Sequence, residues 1–255
     1  MGVSMATAKE WVERWERQQQ RYAVDREERF TVIADVVEHV TAGRAGPLLL
    51  DLGCGPGSLA ARLARRLPDA EIVAVDMDPL LLELGRTHHA GAARYVDAVI
   101  GDDRWTDALA LDRPLDAAVS TTALHYLPEP TLLHTYRRLA ELLRPGGALV
   151  NGDHFPQDAP RCSELTAHVG RRRAERAGSH AHEDWQSWWS RAAQDPELAD
   201  LLVQRERRPS GHARGSTGCH LSADRHAALL RQAGFHHVTP VWQFGDSQVL
   251  VAVKD

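Results

Sequence analysis

The sequence predicts an α/β fold: a doubly wound, mostly parallel sheet closed by an antiparallel last strand, with an all-helical insertion over it. Three observations predict it. Between Leu48 and His154 short apolar runs alternate with amphipathic stretches, the pattern of strands joined by crossover helices. From 156 to 220 that alternation stops and the periodicity becomes helical. From Leu221 a helix is followed by two strand-like runs around Gly245-Asp246-Ser247, which is turn chemistry for a hairpin.

Residues 8–41 read as helical: Trp11 and Trp15 are i,i+4, and Val32, Ile33, Val36, Val37 and Val40 form an apolar stripe ended by Gly43, Gly46 and Pro47. Leu48–Leu52 is the first strand. The helix after it carries Leu59, Leu63 and Leu67 and is closed by Pro68. Ile72–Asp76 is the second strand, and Pro79 opens the next helix. Val96–Asp102 and Leu115–Ser120 are the third and fourth strands. A helix over 128–143 stops at Pro145-Gly146-Gly147, and Ala148–His154 is the fifth strand. In the insertion, helices are predicted over Arg161–Ala177, over Glu183–Gln194, and from Asp195-Pro196-Glu197 to Arg207, with a Gly/Ser-rich loop over Pro209–Gly218. A helix through Ala233, ended by Gly234, then leads to strands Phe235–Gln243 and Gln248–Val253, making seven in all. The organisation expected is a helical cap (1–46), a core (47–155), a helical lid (156–220) and a segment completing the core (221–255).

Composition narrows the function. With 255 residues, 43% hydrophobic and 25% charged, the chain has the make-up of a globular protein large enough for its own core. Its net charge of −5 gives no reason to expect a polyanion partner. Lys9 and Lys254 are the only lysines among 30 basic residues, an arginine excess read as codon bias rather than anion recognition. Cys54, Cys162 and Cys219 are odd in number and form no CxxC, as in a reduced intracellular chain. Met1–Arg21 has no apolar leader and no run approaches a membrane span, so the expected location is the cytoplasm.

The chemistry centres on Asp51-Leu52-Gly53-Cys54-Gly55-Pro56-Gly57, at a strand-to-helix turn. Glycines there let the backbone approach a ligand, and the helix amino end offers free N–H groups. The next strand ends in Asp76, placed to accept hydrogen bonds from both hydroxyls of a ribose. A nicotinamide dehydrogenase shares this logic but fits less well, because Asp51 at the first position disfavours a pyrophosphate and favours a cation or a hydrogen-bond donor.

Five segments in order carry a resemblance: Leu48–Gly57, Ala74–Pro79, Gly101-Asp102-Asp103, Leu115–Ser120 running into Ala123–Pro128, and Leu142–Val150. Together the chain resembles a class I S-adenosylmethionine-dependent methyltransferase of the small-molecule type. The resemblance implies a Rossmann-like core and S-adenosylmethionine as cofactor. It further implies that Asp51 and the backbone at Gly53, Gly55 and Gly57 hold the methionine moiety. Asp76 would take the ribose hydroxyls and Met77 would pack on adenine. Asp102 would accept from the adenine amino group with Asp103 beside it. Ser120 would line the pocket through its carbonyl, and Tyr22 would close over the cofactor.

The expected reaction is methyl transfer to an O or N atom of a small molecule. His125 and His154, after the fourth and fifth strands, are the candidate general bases, although proximity and desolvation alone would also serve. Trp185, Trp188 and Trp189 share a helix face by their i, i+3, i+4 spacing, either as core or as the wall of a pocket for an aromatic or lipophilic acceptor. Trp242 and Tyr126 are grouped with them as acceptor-binding candidates. No metal is expected: His180, His182, His212, Cys219 and His220 make no zinc spacing, and Ser120 stands where a metal-dependent relative would need an acid. The run Arg171-Arg172-Arg173 with Arg176 reads as a solvated helix face. The insertion carries 10 Arg against 9 Asp and Glu, and Thr121-Thr122-Ala123 after Ser120 is no Pro-Pro-aromatic motif, so no nucleic-acid partner is expected. No membrane partner is expected and no oligomeric state is predicted. The other classes kept open are a non-catalytic S-adenosylmethionine-binding regulator and a methyltransferase acting on RNA or protein.

Overall fold

The structure is a computed structural model that describes residues 2–208 and 220–255. In chain order the elements are α1 (Met5–Tyr22), α2 (Arg26–Val40), β1 (Leu48–Leu52), α3 (Ser58–Arg66), β2 (Glu71–Asp76), α4 (Pro79–His88), β3 (Arg94–Asp97), α5 (Trp105–Ala108), β4 (Leu115–Thr121), α6 (Glu129–Leu142), β5 (Leu143–His154), α7 (Pro160–Ala177), α8 (Trp185–Ala192), α9 (Ala199–Arg207), α10 (Ala223–Gln232), β6 (His237–Phe244) and β7 (Ser247–Val253). The strands form one seven-stranded sheet in the order β3-β2-β1-β4-β5-β7-β6. Every pair is parallel except those made by β7, which runs antiparallel to both β5 and β6. This is a Rossmann-like doubly wound sheet whose order reverses between β1 and β4, so those strand ends diverge and leave a crevice.

Strand alternation sorts the core into two layers. Leu48, Leu50 and Leu52 of β1 point to the layer filled by Trp105, Tyr136, Leu139, Leu229 and Phe235. Leu49 points to the opposite layer with Phe30, Ile33, Val37, Leu59 and Leu63. A third apolar cluster lies outside the sheet. Trp11 and Trp15 of α1, Leu80 and Leu84 of α4, Trp188 of α8 and Leu198 meet there. Trp188 is fully buried, with its ring edge-on to Trp11, Trp15 and Trp189 at centroid distances of 5.2, 5.2 and 4.8 Å.

A short helix, α5, is absent from the sequence reading, and three further elements differ from it. The amino-terminal stretch is two helices, broken at Ala23–Asp25, because α1 turns toward α4 and the tryptophan cluster while α2 lies on the sheet. The third strand ends at Asp97, not Asp102: its register with β2 runs out at the Asp76↔Asp97 pair. β5 begins at Leu143, and Pro145–Gly147 form an irregularity inside it, with Leu115 facing Leu143 but Ala117 facing Ala148. The loop predicted over Pro209–Gly218 lies outside the described residues.

The tryptophan cluster generates a test. Trp188→Ala is expected to lower unfolding free energy by about 3–5 kcal/mol, the cost of emptying a large buried aromatic site. Urea unfolding followed by circular dichroism measures it.

Candidate active site

A cavity of about 1850 Å³ opens at the carboxyl ends of β1, β2, β4 and β5. Its floor is the loop after β1. Gly53 and Cys54 donate their N–H groups to the Val75 carbonyl at 2.9 and 3.0 Å, which folds the loop across the end of β2. Gly53 and Gly57 have φ of +67° and +81°, where a side chain is strained. Space forbids one as well: a Cβ on Gly53 would come within 2.3 Å of the Ala123 side chain, and one on Gly57 within 2.2 Å of the Tyr95 hydroxyl. Gly53 and Gly55 line the cavity, whereas Gly57 supports the turn from behind.

Two acids face this floor. Asp51 is buried; its Oδ2 accepts from the Ala60 N–H at 3.1 Å, and its Oδ1 has no partner among the described residues. Desolvation, reinforced by the nearby charge of Asp76, pushes its pKa to about 7 against the Ala60 hydrogen bond. Asp76 accepts from the Gly55 N–H at 2.8 Å and the Asp78 N–H at 2.9 Å, yet desolvation still raises it to about 6. Among the described residues neither acid accepts a hydrogen bond from a cationic side chain. A ligand bringing a cation to Asp51 and hydroxyl donors to Asp76 meets two carboxylates that gain from both.

Met77 lines the cavity, and its carbonyl accepts from Arg208 Nη1 at 2.5 Å. Beyond β3 the wall is Ala98 and Ile100. Asp102 and Asp103 do not line it, because β3 ends at Asp97 and the chain has already turned away. Asp97 itself forms an ion pair with Arg208. Ser120 is fully buried, its hydroxyl donating to the Leu52 carbonyl at 2.9 Å; the wall beside it is Thr121, Thr122 and Ala123.

The opposite end holds the histidines. His125 Nδ1 lies 2.9 Å from both oxygens of Asp153. Burial lowers the His125 pKa, but the Asp153 charge and hydrogen bond outweigh it, so the net shift is upward. Asp153 is buried too, yet His125 and Arg29 overcome desolvation and hold it at about 2. The fold thus joins the ends of β4 and β5 through the His125–Asp153 pair. His154 lies between Arg29, whose Nη2 is 3.3 Å from its Nε2, and Asp246, whose Oδ1 is 3.4 Å from its Nδ1.

Aromatic residues cover the cavity. Trp15, Tyr22, Tyr126, Trp185, Trp189 and Phe244 line it. The Tyr22 hydroxyl accepts from the Trp185 N–H at 3.0 Å, tying α1 to α8. Trp188 does not line the cavity but packs behind it, and Trp242 lies away from it, donating to Glu28 Oε1 at 3.0 Å. Of the arginine run, Arg173 pairs with Asp25 at 3.0 Å and Arg172 with Glu175, whereas Arg171 lines the cavity.

Residues 49–147 match the family described as Methyltransferase domain. Magnesium protoporphyrin IX methyltransferase from Synechocystis PCC 6803, solved with bound SAH, superposes with a TM-score of 0.58 at 15% identity, over 96% of this chain and 94% of that one, a likeness of fold. Residues 49–147 are thus a methyltransferase domain, on a fold shared with S-adenosylmethionine-dependent methyltransferases. Trans-aconitate 2-methyltransferase from Methylobacterium radiotolerans is 38% identical over 102 residues, 40% of this chain and 36% of the relative. Ubiquinone biosynthesis O-methyltransferase from Xanthomonas euvesicatoria is 34% identical over 107 residues, 41% and 42% of the two. The chain thus spans less than half the length of these curated relatives.

The methyltransferase domain explains why the glycine loop and the two acids were legible: they sit in the matched segment. Arg29 and Asp246 were missed, since one reads as a helix-surface cation and the other as a turn residue. Trp15, on the amino-terminal cap, reaches the glycine loop: its ring lies 3.6 Å from where a Gly55 Cβ would stand. Among the described residues no group of three or more His, Cys, Asp or Glu side chains could hold a metal ion, and no helix is long and apolar enough to cross a membrane. His212 and Cys219 lie outside the described residues.

The raised acids have a measurable consequence. A carboxyl whose folded-state pKa is raised gives stability that is present below its unfolded value and lost as pH rises through the folded value. For Asp51 that window runs from 3.8 to about 7. Unliganded Asp51→Asn protein is therefore expected to gain on the parent across this range, by roughly 1–3 kcal/mol at its top. Urea unfolding of both proteins at several pH values measures the difference.

Proposed function

We propose that the protein transfers a methyl group from S-adenosylmethionine to an O or N atom of a small, aromatic or lipophilic acceptor by in-line displacement. The observation that carries this reading is one continuous cavity with Asp51, whose Oδ1 has no partner among the described residues, at one end, the His125–Asp153 pair at the other and aromatic rings over both. Asp51 would face the cofactor's ammonium group, Asp76 its ribose hydroxyls, and Met77, Ala98 and Ile100 its adenine. When bound, S-adenosylmethionine supplies an activated methyl on a sulfonium.

The chain's own residues do the rest. Asp153 accepts the Nδ1 hydrogen of His125, leaving Nε2 as the proton acceptor for an acceptor O–H or N–H. Arg29 can only donate, so the His154 Nε2 facing it is already in use as an acceptor. The base is therefore His125, and His154 shapes the acceptor end. Trp185, Trp189 and Tyr126 form the apolar wall, and α1 lends Trp15 and Tyr22 to the cavity lining. Relatives named for trans-aconitate and for ubiquinone biosynthesis support a small-molecule acceptor.

Calorimetric titration with S-adenosylmethionine is expected to show binding, weakened about 10- to 100-fold in Asp76→Ala by loss of hydrogen bonds to a charged group. A parent-like Asp76→Ala would overturn the cofactor assignment. A screen of acceptors with labelled cofactor identifies the substrate. On any acceptor found, His125→Asn is expected to lower kcat about 100-fold or more with cofactor affinity kept. Rates within about threefold of the parent for both His125→Ala and His154→Ala would remove the base from the mechanism.

A further inference from the structure

Arg29 is the charged residue that the methyl-transfer reading leaves unused. It stands on α2, on the side of the helix turned to the sheet, and it is 0% exposed. Its stem runs over β5 at Gly152, where a Cβ would come within 2.7 Å of Arg29 Cδ and within 3.0 Å of its Cγ. The strand has no side chain at the one place where the arginine must cross it. The guanidinium then meets three groups of the strand ends. Its Nη2 donates to the Ser247 hydroxyl at 2.6 Å and reaches His154 Nε2 at 3.3 Å, and its Nη1 lies 3.4 Å from the Gly152 carbonyl. Burying a guanidinium is costly unless acids answer it. Asp153, Asp246 and Asp25 are the acids within electrostatic reach, with Arg26 opposing them.

We propose that Arg29 is a positioning residue for both histidines of the site: it fixes the tautomer of His154 and, through Asp153, limits how tightly His125 holds a proton. The proposal rests on the reading of His125 as the base. The first half follows from donor chemistry. A guanidinium has no lone pair, so His154 Nε2 must be the bare nitrogen and Nδ1 must carry the hydrogen, directed at Asp246 Oδ1. The second half follows from charge placement. Asp153 is hydrogen-bonded to the imidazole of His125 and follows Gly152, whose carbonyl lies 3.4 Å from Arg29 Nη1, so the guanidinium acts on the pair through space, without an ion pair of its own to Asp153. The other groups facing His125 bring little charge. His226 on α10 is pushed down to about 4 by burial, and burial raises the Tyr126 phenol. His220 stacks on His125 at a centroid distance of 5.7 Å. Arg29 is thus the counter-charge that keeps the Asp153 pairing from trapping His125 in its protonated form.

The test reads the rings directly. Nitrogen-15 chemical shifts of the unmodified protein are expected to report His154 with its hydrogen on Nδ1; a hydrogen on Nε2 overturns the first half without any variant being made. For the second half, the ring of His125 is titrated by NMR in the parent, in Arg29→Gln and in Arg29→Lys. Loss of the positive charge is expected to move the His125 titration to higher pH in Arg29→Gln, and Arg29→Lys is expected to restore it toward the parent. A His125 titration unchanged in folded Arg29→Gln overturns the proposal. The acid limb of the kcat/KM profile is expected to move with the titration, so that the activity lost in Arg29→Gln is largest at low pH and shrinks as pH rises. A titration that moves while the acid limb stays in place upholds the role of Arg29 and overturns instead the reading of His125 as the base.

Discussion

Carboxylates that leave water at the ends of parallel strands set the terms for the rest of this molecule. Asp51, Asp76 and Asp153 stand on β1, β2 and β5, where the sheet's hydrogen bonds run out into a common crevice. They suffer the same desolvation and resolve it in opposite ways. Asp153 is answered from inside the protein, by His125 and Arg29, and stays ionised down to about pH 2. Among the described residues Asp51 and Asp76 accept only from backbone N–H groups, and they are raised to about 7 and about 6. The first arrangement makes a fixed charge that orients an imidazole. The second leaves two acids whose electrostatic need is met by whatever ligand arrives.

The cover of the site is one body assembled from two distant stretches of chain. The Trp11 indole donates to Asp195 at 2.7 Å, Arg14 pairs with Glu183 at 2.7 Å, and Ser4 and Thr7 hydrogen-bond to Glu197. From the same body Arg205 pairs with Asp78 at 2.6 Å, two residues after Asp76, and stacks over Trp189. The tryptophans therefore split by role. Trp15, Trp185 and Trp189 show faces to the cavity, and Trp188 holds them in place from behind.

Much of the fold was legible because burial on both faces writes a strand as an apolar run, and five of the seven strands follow that rule plainly. The glycine loop and its two acids were legible because their chemistry is local: each is decided by residues next to it in sequence. What was not legible depends on distant chain. The end of β3 is set by its register with β2, so Asp102 and Asp103 fall outside the cavity wall although their motif looks right. Arg29 looks like any helix-surface cation until β5 and β7 are placed under it. Helical spacing grouped Trp188 with Trp185 and Trp189, but only the packing against α1 decides which rings see the cavity.

The bond from Trp11 to Asp195 spans 184 residues of sequence. The two indoles of α1 pack on Leu80 and Leu84 of α4, but their remaining partners, Trp188 and Asp195, come more than 170 residues later in the chain. The glycine loop and its acids can be in place much earlier, since β1, β2 and β4 follow one another closely. Floor and cover thus differ in what closes them: the glycine loop is built from strands near one another in sequence, whereas the cover over it needs contacts across 184 to 193 residues of chain.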